Sequence, residues 1–288
     1  MSKYQIVFFS GTGCTKLVAD CLNKTLTELG HDIVVERIKA GGRIETSGFD
    51  KLILLYPLHS FNAPEPVEEW IQSLEKQNGA KAAVISVSGA GDMTPNTASR
   101  VRVIKMLEEK GCDVFYENDI TMLSNTVVTT PEPMAIKLIQ ILPEKVSAIA
   151  GDILSEKIRR PKPFVFDRLY STVGKMERRG AKSFGKAIKA SDACDGCGLC
   201  AKQCTSDNIS IFENRPVFGG KCNLCLGCFY ACPRGALYPI KAKIFVLKEF
   251  KLDDIVKKAT ESERIGIDQI KGGPIWNGVK KYLREGKK

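Results

Sequence analysis

Eight cysteines fall between positions 194 and 232 of this 288-residue chain, in two runs of one form. Cys194, Cys197, Cys200 and Cys204 make a C-x2-C-x2-C-x3-C run. Cys222, Cys225, Cys228 and Cys232 make the second, which Pro233 closes. Three thiolates at this interval can wrap around one iron–sulfur cube, while the fourth reaches across to the other. The spacing therefore predicts two [4Fe–4S] clusters. Cys194, Cys197, Cys200 and Cys232 are expected on one; Cys222, Cys225, Cys228 and Cys204 on the other. A pair of zinc sites is the competing reading, but zinc modules commonly present separated pairs of cysteines rather than triplets. A disulfide framework needs a secretory context. Met1-Ser2-Lys3-Tyr4-Gln5 leads straight into a strand-like run with no signal-peptide profile, so the expected setting is cytoplasmic.

A second group of residues suits an anion. Ser10-Gly11-Thr12-Gly13-Cys14-Thr15 follows the first strand-like run and opens a helical one. Glycines let the backbone approach a phosphate, a helix N-terminus offers free N–H groups, and three hydroxyls add donors. The turn lacks the Gly-Lys-Ser/Thr ending of a P-loop and has no glycine at position 16, so it is not the dinucleotide fingerprint. Cys14 reads as a small loop residue, and Cys21 and Cys112 as ordinary buried thiols.

These groups need elements to position them. Strands are expected over 4–9, 32–38, 51–56, 81–87 and 114–122, and helices over 16–29, 66–74, 97–110 and 133–149. The run 52–57 is continuous and apolar, as in a strand buried on both faces. Gly111 stands at the expected stop of the third helix. Strands alternating with crossover helices predict an α/β fold with a doubly wound five-stranded parallel sheet over 1–150. A basic helical linker follows over 151–190, a small α+β cysteine domain over 191–240, and a basic extension over 241–288. A helix is expected near 252–260.

Around residues 190–240 the chain resembles two-cluster bacterial-type ferredoxins. Asn208–Ile211 and Arg215–Phe218 sit where that family has its paired strands. Thr205 departs from it, since the family has Pro there. The resemblance implies one-electron transfer at low potential. Residues 1–150 resemble flavodoxins. Their ligand crevice lies at the carboxyl ends of the first and third strands. The loop Pro57-Leu58-His59-Ser60-Phe61-Asn62-Ala63-Pro64 and the loop Ser88-Gly89-Ala90-Gly91-Asp92-Met93 would join the 10–15 turn there. That resemblance implies bound FMN, with its phosphate on residues 10–15 and its ring between the other two loops. Phe61 or His59 would cover one ring face. The 88–93 loop has no aromatic side chain for the other. Together the halves resemble the flavodoxin–ferredoxin fusion proteins of anaerobic prokaryotes.

Charge is unevenly spread. Residues 1–150 hold 15 Lys and Arg against 18 Asp and Glu, whereas 151–288 hold 28 against 15. The excess flanks the cysteine block, where it could meet the acidic first half or an acidic external donor. The longest apolar runs are far short of the roughly 20 residues of a membrane span. A soluble redox partner, a ferredoxin or an oxidoreductase, is expected; nucleic acid is not. Electron transfer between that partner and a bound FMN is the leading reading. A flavin-dependent reductase fed by the clusters is the alternative, and a redox-responsive binding module a third. No catalytic triad or acid/base pair stands out near the loops.

Overall fold

The computed structural model describes residues 2–46, 48–174, 177–247 and 250–285, without the side chains of residues 171, 173 and 174. Among the described residues no helix is long and apolar enough to cross a membrane.

The first half is a wound sheet. Strand β1 (Lys3–Phe8) leads through the Gly-rich turn into helix α1 (Cys14–Glu28), and β2 (Asp32–Arg37) returns beside it. Next come β3 (Lys51–Pro57), α2 (Glu65–Ser73), β4 (Lys81–Ser88), α3 (Val101–Glu109), β5 (Asp113–Thr121) and α4 (Glu132–Leu154). All strand pairs are parallel, in the order β2-β1-β3-β4-β5. That is the flavodoxin-like order. The sheet is buried on both faces, so successive side chains enter different cores. Ile6 and Phe8 pack with Val18 and Leu22 of α1 and Leu138 of α4. Val7 and Phe9 pack with Trp70 of α2 and Leu107 of α3. Helix α1 forms because Val18, Leu22 and Leu26 recur every four residues on its buried face. Helix α3 starts at Val101, later than the expected 97, and stops as expected before Gly111 at φ +87°. A Cβ on Gly111 would lie 2.0 Å from the carbonyl oxygen of Gln77.

The second half is smaller. The expected basic helical stretch resolves into α5 (Val165–Gly174), α6 (Glu177–Lys186) and a short strand β6 (Ile188–Ala190). Then follow α7 (Leu199–Gln203), β7 (Ile209–Phe212), β8 (Arg215–Phe218), α8 (Gly227–Tyr230) and β9 (Leu237–Pro239). Strands β7 and β8 form a hairpin whose turn residues Glu213 and Asn214 have φ of +46° and +57°. Positive φ at both positions matches the twist of a hairpin. Strands β6 and β9 pair antiparallel, joining the two ends of the cysteine region. Its core is Phe184, Ile188, Ile209, Leu226, Phe229 and Leu237.

The tail belongs to the first half. Helices α9 (Leu252–Glu261) and α10 (Asn277–Arg284) return to the sheet. Phe250, Trp276, Val279 and Leu283 are buried in the same core as Tyr4 and Ile6. Ion pairs run the same way: Lys258 Nζ to Glu132 at 2.5 Å, Arg178 Nη2 to Glu68 at 2.6 Å and Lys182 Nζ to Glu65 at 3.5 Å. The basic flanks thus lie on the acidic half of their own chain.

Candidate functional site

The cysteine runs repeat in backbone as well as in sequence. In each, the third cysteine sits in the first turn of a short helix, Cys200 in α7 and Cys228 in α8. Each helix is entered through left-handed residues at matching places. Gly196 and Gly198 both have φ +74°; Leu224 and Leu226 have +55° and +61°. Leucine in that region carries about 1–2 kcal/mol of strain, so the second run holds a shape its side chains resist. Gly196 is fixed by contact too, since a Cβ there would lie 2.6 Å from Asn214 O.

All eleven cysteines are free. The thiols of the two runs sort into two sets. Cys200 is raised by burial and by its neighbours Cys194 and Cys232. Cys228 is raised by burial, then by Cys225, Cys222 and Cys204, and last by Cys200. Burial pushes Cys222 up to about 12. Thiols crowded in an apolar place resist ionisation, and a bound cation reverses that preference. Donors already face the sulfurs. Asn208 N–H meets Cys204 Sγ at 3.2 Å, Ala236 N–H meets Cys232 Sγ at 3.3 Å and Leu224 N–H meets Cys222 Sγ at 3.4 Å. A narrow cavity lies among Cys204, Cys222, Cys225 and Cys228, walled by Phe184, Ile188, Ile209 and Phe229. Among the described residues, no group of three or more His, Cys, Asp or Glu is arranged to hold a metal ion.

Thr205, the departure from the ferredoxin pattern, is buried and bonded on two sides. Its Oγ1 donates to Cys225 Sγ at 3.7 Å, and its carbonyl accepts from Ala40 N at 2.8 Å. Pro would supply no such hydroxyl.

The three loops expected to hold FMN do meet at one edge of the sheet. The chain's own second half lies against them. A Cβ on Gly11 would stand 2.5 Å from Cys225 O, and one on Gly227 would stand 2.6 Å from Gly11 O. Thr12 Oγ1 accepts from Asn125 Nδ2 at 2.6 Å, and Asn125 O accepts from Tyr230 Oη at 2.8 Å. Ser10 Oγ accepts from Gly13 N at 3.2 Å, closing the turn on itself. Thr15 is buried, as is Cys14, whose thiol burial pushes up to about 12. Cys21 is half-buried and Cys112 buried, and burial raises both thiols.

In the second loop, which follows Pro57 at the end of β3, Leu58 is half-buried against the core on the α2 and α3 side. His59 Nδ1 donates to Asn223 O at 3.2 Å. Burial lowers this imidazole to about 4, so it stays neutral. Ser60 donates to Glu177, and the Asn62 amide donates to Ser60 O at 3.0 Å. The Phe61 ring meets Tyr170 edge-on at 5.9 Å.

The third loop rests on a buried charge network. Ser88 Oγ donates to Asp119 at 2.9 Å and accepts from Gly91 N at 3.0 Å. Asp92 takes the Arg100 guanidinium at 3.0 and 3.2 Å. Arg100 is 1% exposed and also donates to Glu117 at 2.8 Å. Burial raises Asp119 to about 6 against the pull of Arg100. The backbone of Gly89 packs on Ser124, and Ala90 O would lie 2.1 Å from a Cβ on Gly278 of α10.

No protein-family model matches the chain, and no curated protein matches it. Solved structures align with the first half. A Streptococcus pneumoniae flavodoxin is 17% identical, covering 54% of this chain and 99% of its own, with a TM-score of 0.40. Oxidised flavodoxin 2 of Bacillus cereus is 19% identical over 54% and 99%, at 0.41. An FMN-bound flavodoxin mutant of Fusobacterium nucleatum is 18% identical over 54% and 97%, at 0.39.

Proposed function

We propose that this protein is an electron carrier. The eight cysteines of its second half hold two [4Fe–4S] clusters, and the flavodoxin-like half is the platform beneath them. The observation that carries the reading is the sorting of the thiols. Cys204 lines one cavity with Cys222, Cys225 and Cys228 of the other run, and Cys232 lies within electrostatic reach of Cys200. That exchange of fourth ligands is the feature that separates a two-cluster ferredoxin from two independent metal sites.

When bound, each cluster takes up and returns one electron at a time. The chain's residues do the rest. Backbone N–H groups of Asn208, Leu224 and Ala236 donate to ligand sulfurs, and Phe184 and Phe229 exclude water from one set. Cys197 is the exposed ligand. A soluble redox protein, a ferredoxin or an oxidoreductase, would exchange electrons there, over the shortest path to a buried group.

The strand order, the Ser10–Thr15 turn and the resemblance to FMN-binding flavodoxins support FMN at the sheet edge. The packing of Cys225 and Gly227 on Gly11 stands against it in this arrangement, because the phosphate turn already touches backbone. No electron step is therefore routed through a flavin. Purification without oxygen, with iron, acid-labile sulfide and flavin measured per chain, tests the reading. About eight iron with matching sulfide is the expected result. A chain holding zinc, or iron without sulfide, overturns it.

A further inference from the structure

We propose that the ligand edge of the flavodoxin-like sheet is the seat of the cluster on Cys204, Cys222, Cys225 and Cys228, with Arg37 as its positioning cation. The proposal rests on the two-cluster reading above.

Separate observations converge on it. The Gly-rich turn and the second cysteine run touch through backbone on both sides, at Gly11 and at Gly227, leaving room for no side chain. Arg37, the last residue of β2, reaches the same edge. Its Nη2 donates to Ser10 O at 2.6 Å, while its buried Nε has no partner. Ser10, whose carbonyl holds Arg37, is followed by Gly11, which packs on Cys225, so guanidinium and cysteine run share one edge. Thr205 ties the loop after β2 to the same cysteine through Ala40.

The chemistry joins these facts. A cube bound by four thiolates is an anion, and reduction adds one more negative charge. The open end of α1, which in a nucleotide site faces a phosphate, meets the same electrostatic need here. A half-buried guanidinium with a buried, unused donor stabilises the more negative, reduced form, and hydrogen bonds and charge near the sulfurs set the potential. The inner cluster is therefore the easier of the two to reduce. Electrons that enter beside exposed Cys197 collect at the seat.

The test compares the wild-type chain with R37Q and R37K, each purified without oxygen and titrated under EPR. The wild type should show two distinct midpoints and about eight iron. In R37Q the more positive midpoint should fall by a tenfold shift in its equilibrium, about 59 mV for one electron. The other should stay, and R37K should restore most of the change. Equal midpoints in the wild type overturn the proposal, as do midpoints that R37Q leaves unmoved or moves together. Stoichiometric FMN alongside eight iron overturns the seat as well. A chain without iron is a different failure, seen before any titration, and removes the two-cluster reading itself.

Discussion

Gly11 and Gly227 meet backbone to backbone, the carbonyl of Gly11 standing where a Cβ of Gly227 would be. A Cβ on Gly227 would lie 2.6 Å from the Gly11 carbonyl, and one on Gly11 only 2.5 Å from Cys225 O. Two elements more than two hundred residues apart are thus shaped for a single docked arrangement.

The first expectation concerns that seam. Gly11→Ala should cost about 1–3 kcal/mol through overpacking against immovable backbone. Gly151→Ala, on an open face of α4 with nothing within 4 Å, should be neutral or stabilising by up to about 1 kcal/mol. Urea midpoints of the two variants check this. Equal midpoints would show that the seam is not held in solution.

Exchange of the fourth ligands gives a second. Cys204→Ala should halve the iron to about four per chain while sparing the cluster on Cys194, Cys197 and Cys200, although Cys204 belongs to their run. Cys232→Ala should do the converse. EPR distinguishes the surviving clusters, and the survivor in Cys232→Ala should be the one that responds to Arg37.

Thr205→Val removes one hydroxyl and little volume. It should weaken the hydrogen bonding of Cys225 by about 0.5–1.5 kcal/mol, which lowers the midpoint of that cluster alone. Iron content should be unchanged, which separates tuning from assembly.

Asp119 and His59 make opposed contributions to stability over one pH range. Asp119 is raised from 3.8 to about 6 by burial, so the folded chain keeps a proton that the unfolded chain releases. Its contribution falls as pH rises from about 4 to 6. His59 is lowered from 6.5 to about 4 by burial, so the unfolded chain binds the extra proton. Its contribution rises between about 4 and 6.5. The two slopes offset each other over that range. Asp119→Asn should leave stability rising with pH, and His59→Gln should leave it falling. Urea midpoints across the range measure both slopes, and parallel curves would refute the assignment.

How much was legible in sequence follows from how local each feature is. The inner strands of the first half show because they are buried on both faces, which demands unbroken apolar runs such as 52–57. The cysteine runs show because one spacing recurs in both. Helix α3 starts late because Asn96 and Thr97 spend their polar groups elsewhere: Asn96 Nδ2 donates to Gly91 O at 3.0 Å, and Thr97 Oγ1 donates to Asp167. Strand β6 was hidden inside a helical-looking basic stretch, since only pairing with Leu237–Pro239 makes it a strand. Arg37 carried no signal of its own, and Thr205 stood out only as a departure from the ferredoxin pattern. Their roles arise where the second half settles on the first, and a single sequence contains no pattern for that. The apolar residues of α10 were legible only as part of a Lys-rich tail.

That tail has a consequence for how the protein is made. Trp276, Val279 and Leu283 fill the core that Tyr4 and Ile6 begin, so the earliest strand is completed by segments translated after the cysteine runs. Contacts of such long range are slow to close, because the intervening chain must be ordered first. On the ribosome, the sheet emerges with one face unfinished and waits while the cysteines appear. The cysteine runs therefore leave the tunnel before the tail helices that close the molecule around them. Synthesis order alone leaves the cysteine runs accessible before the fold locks.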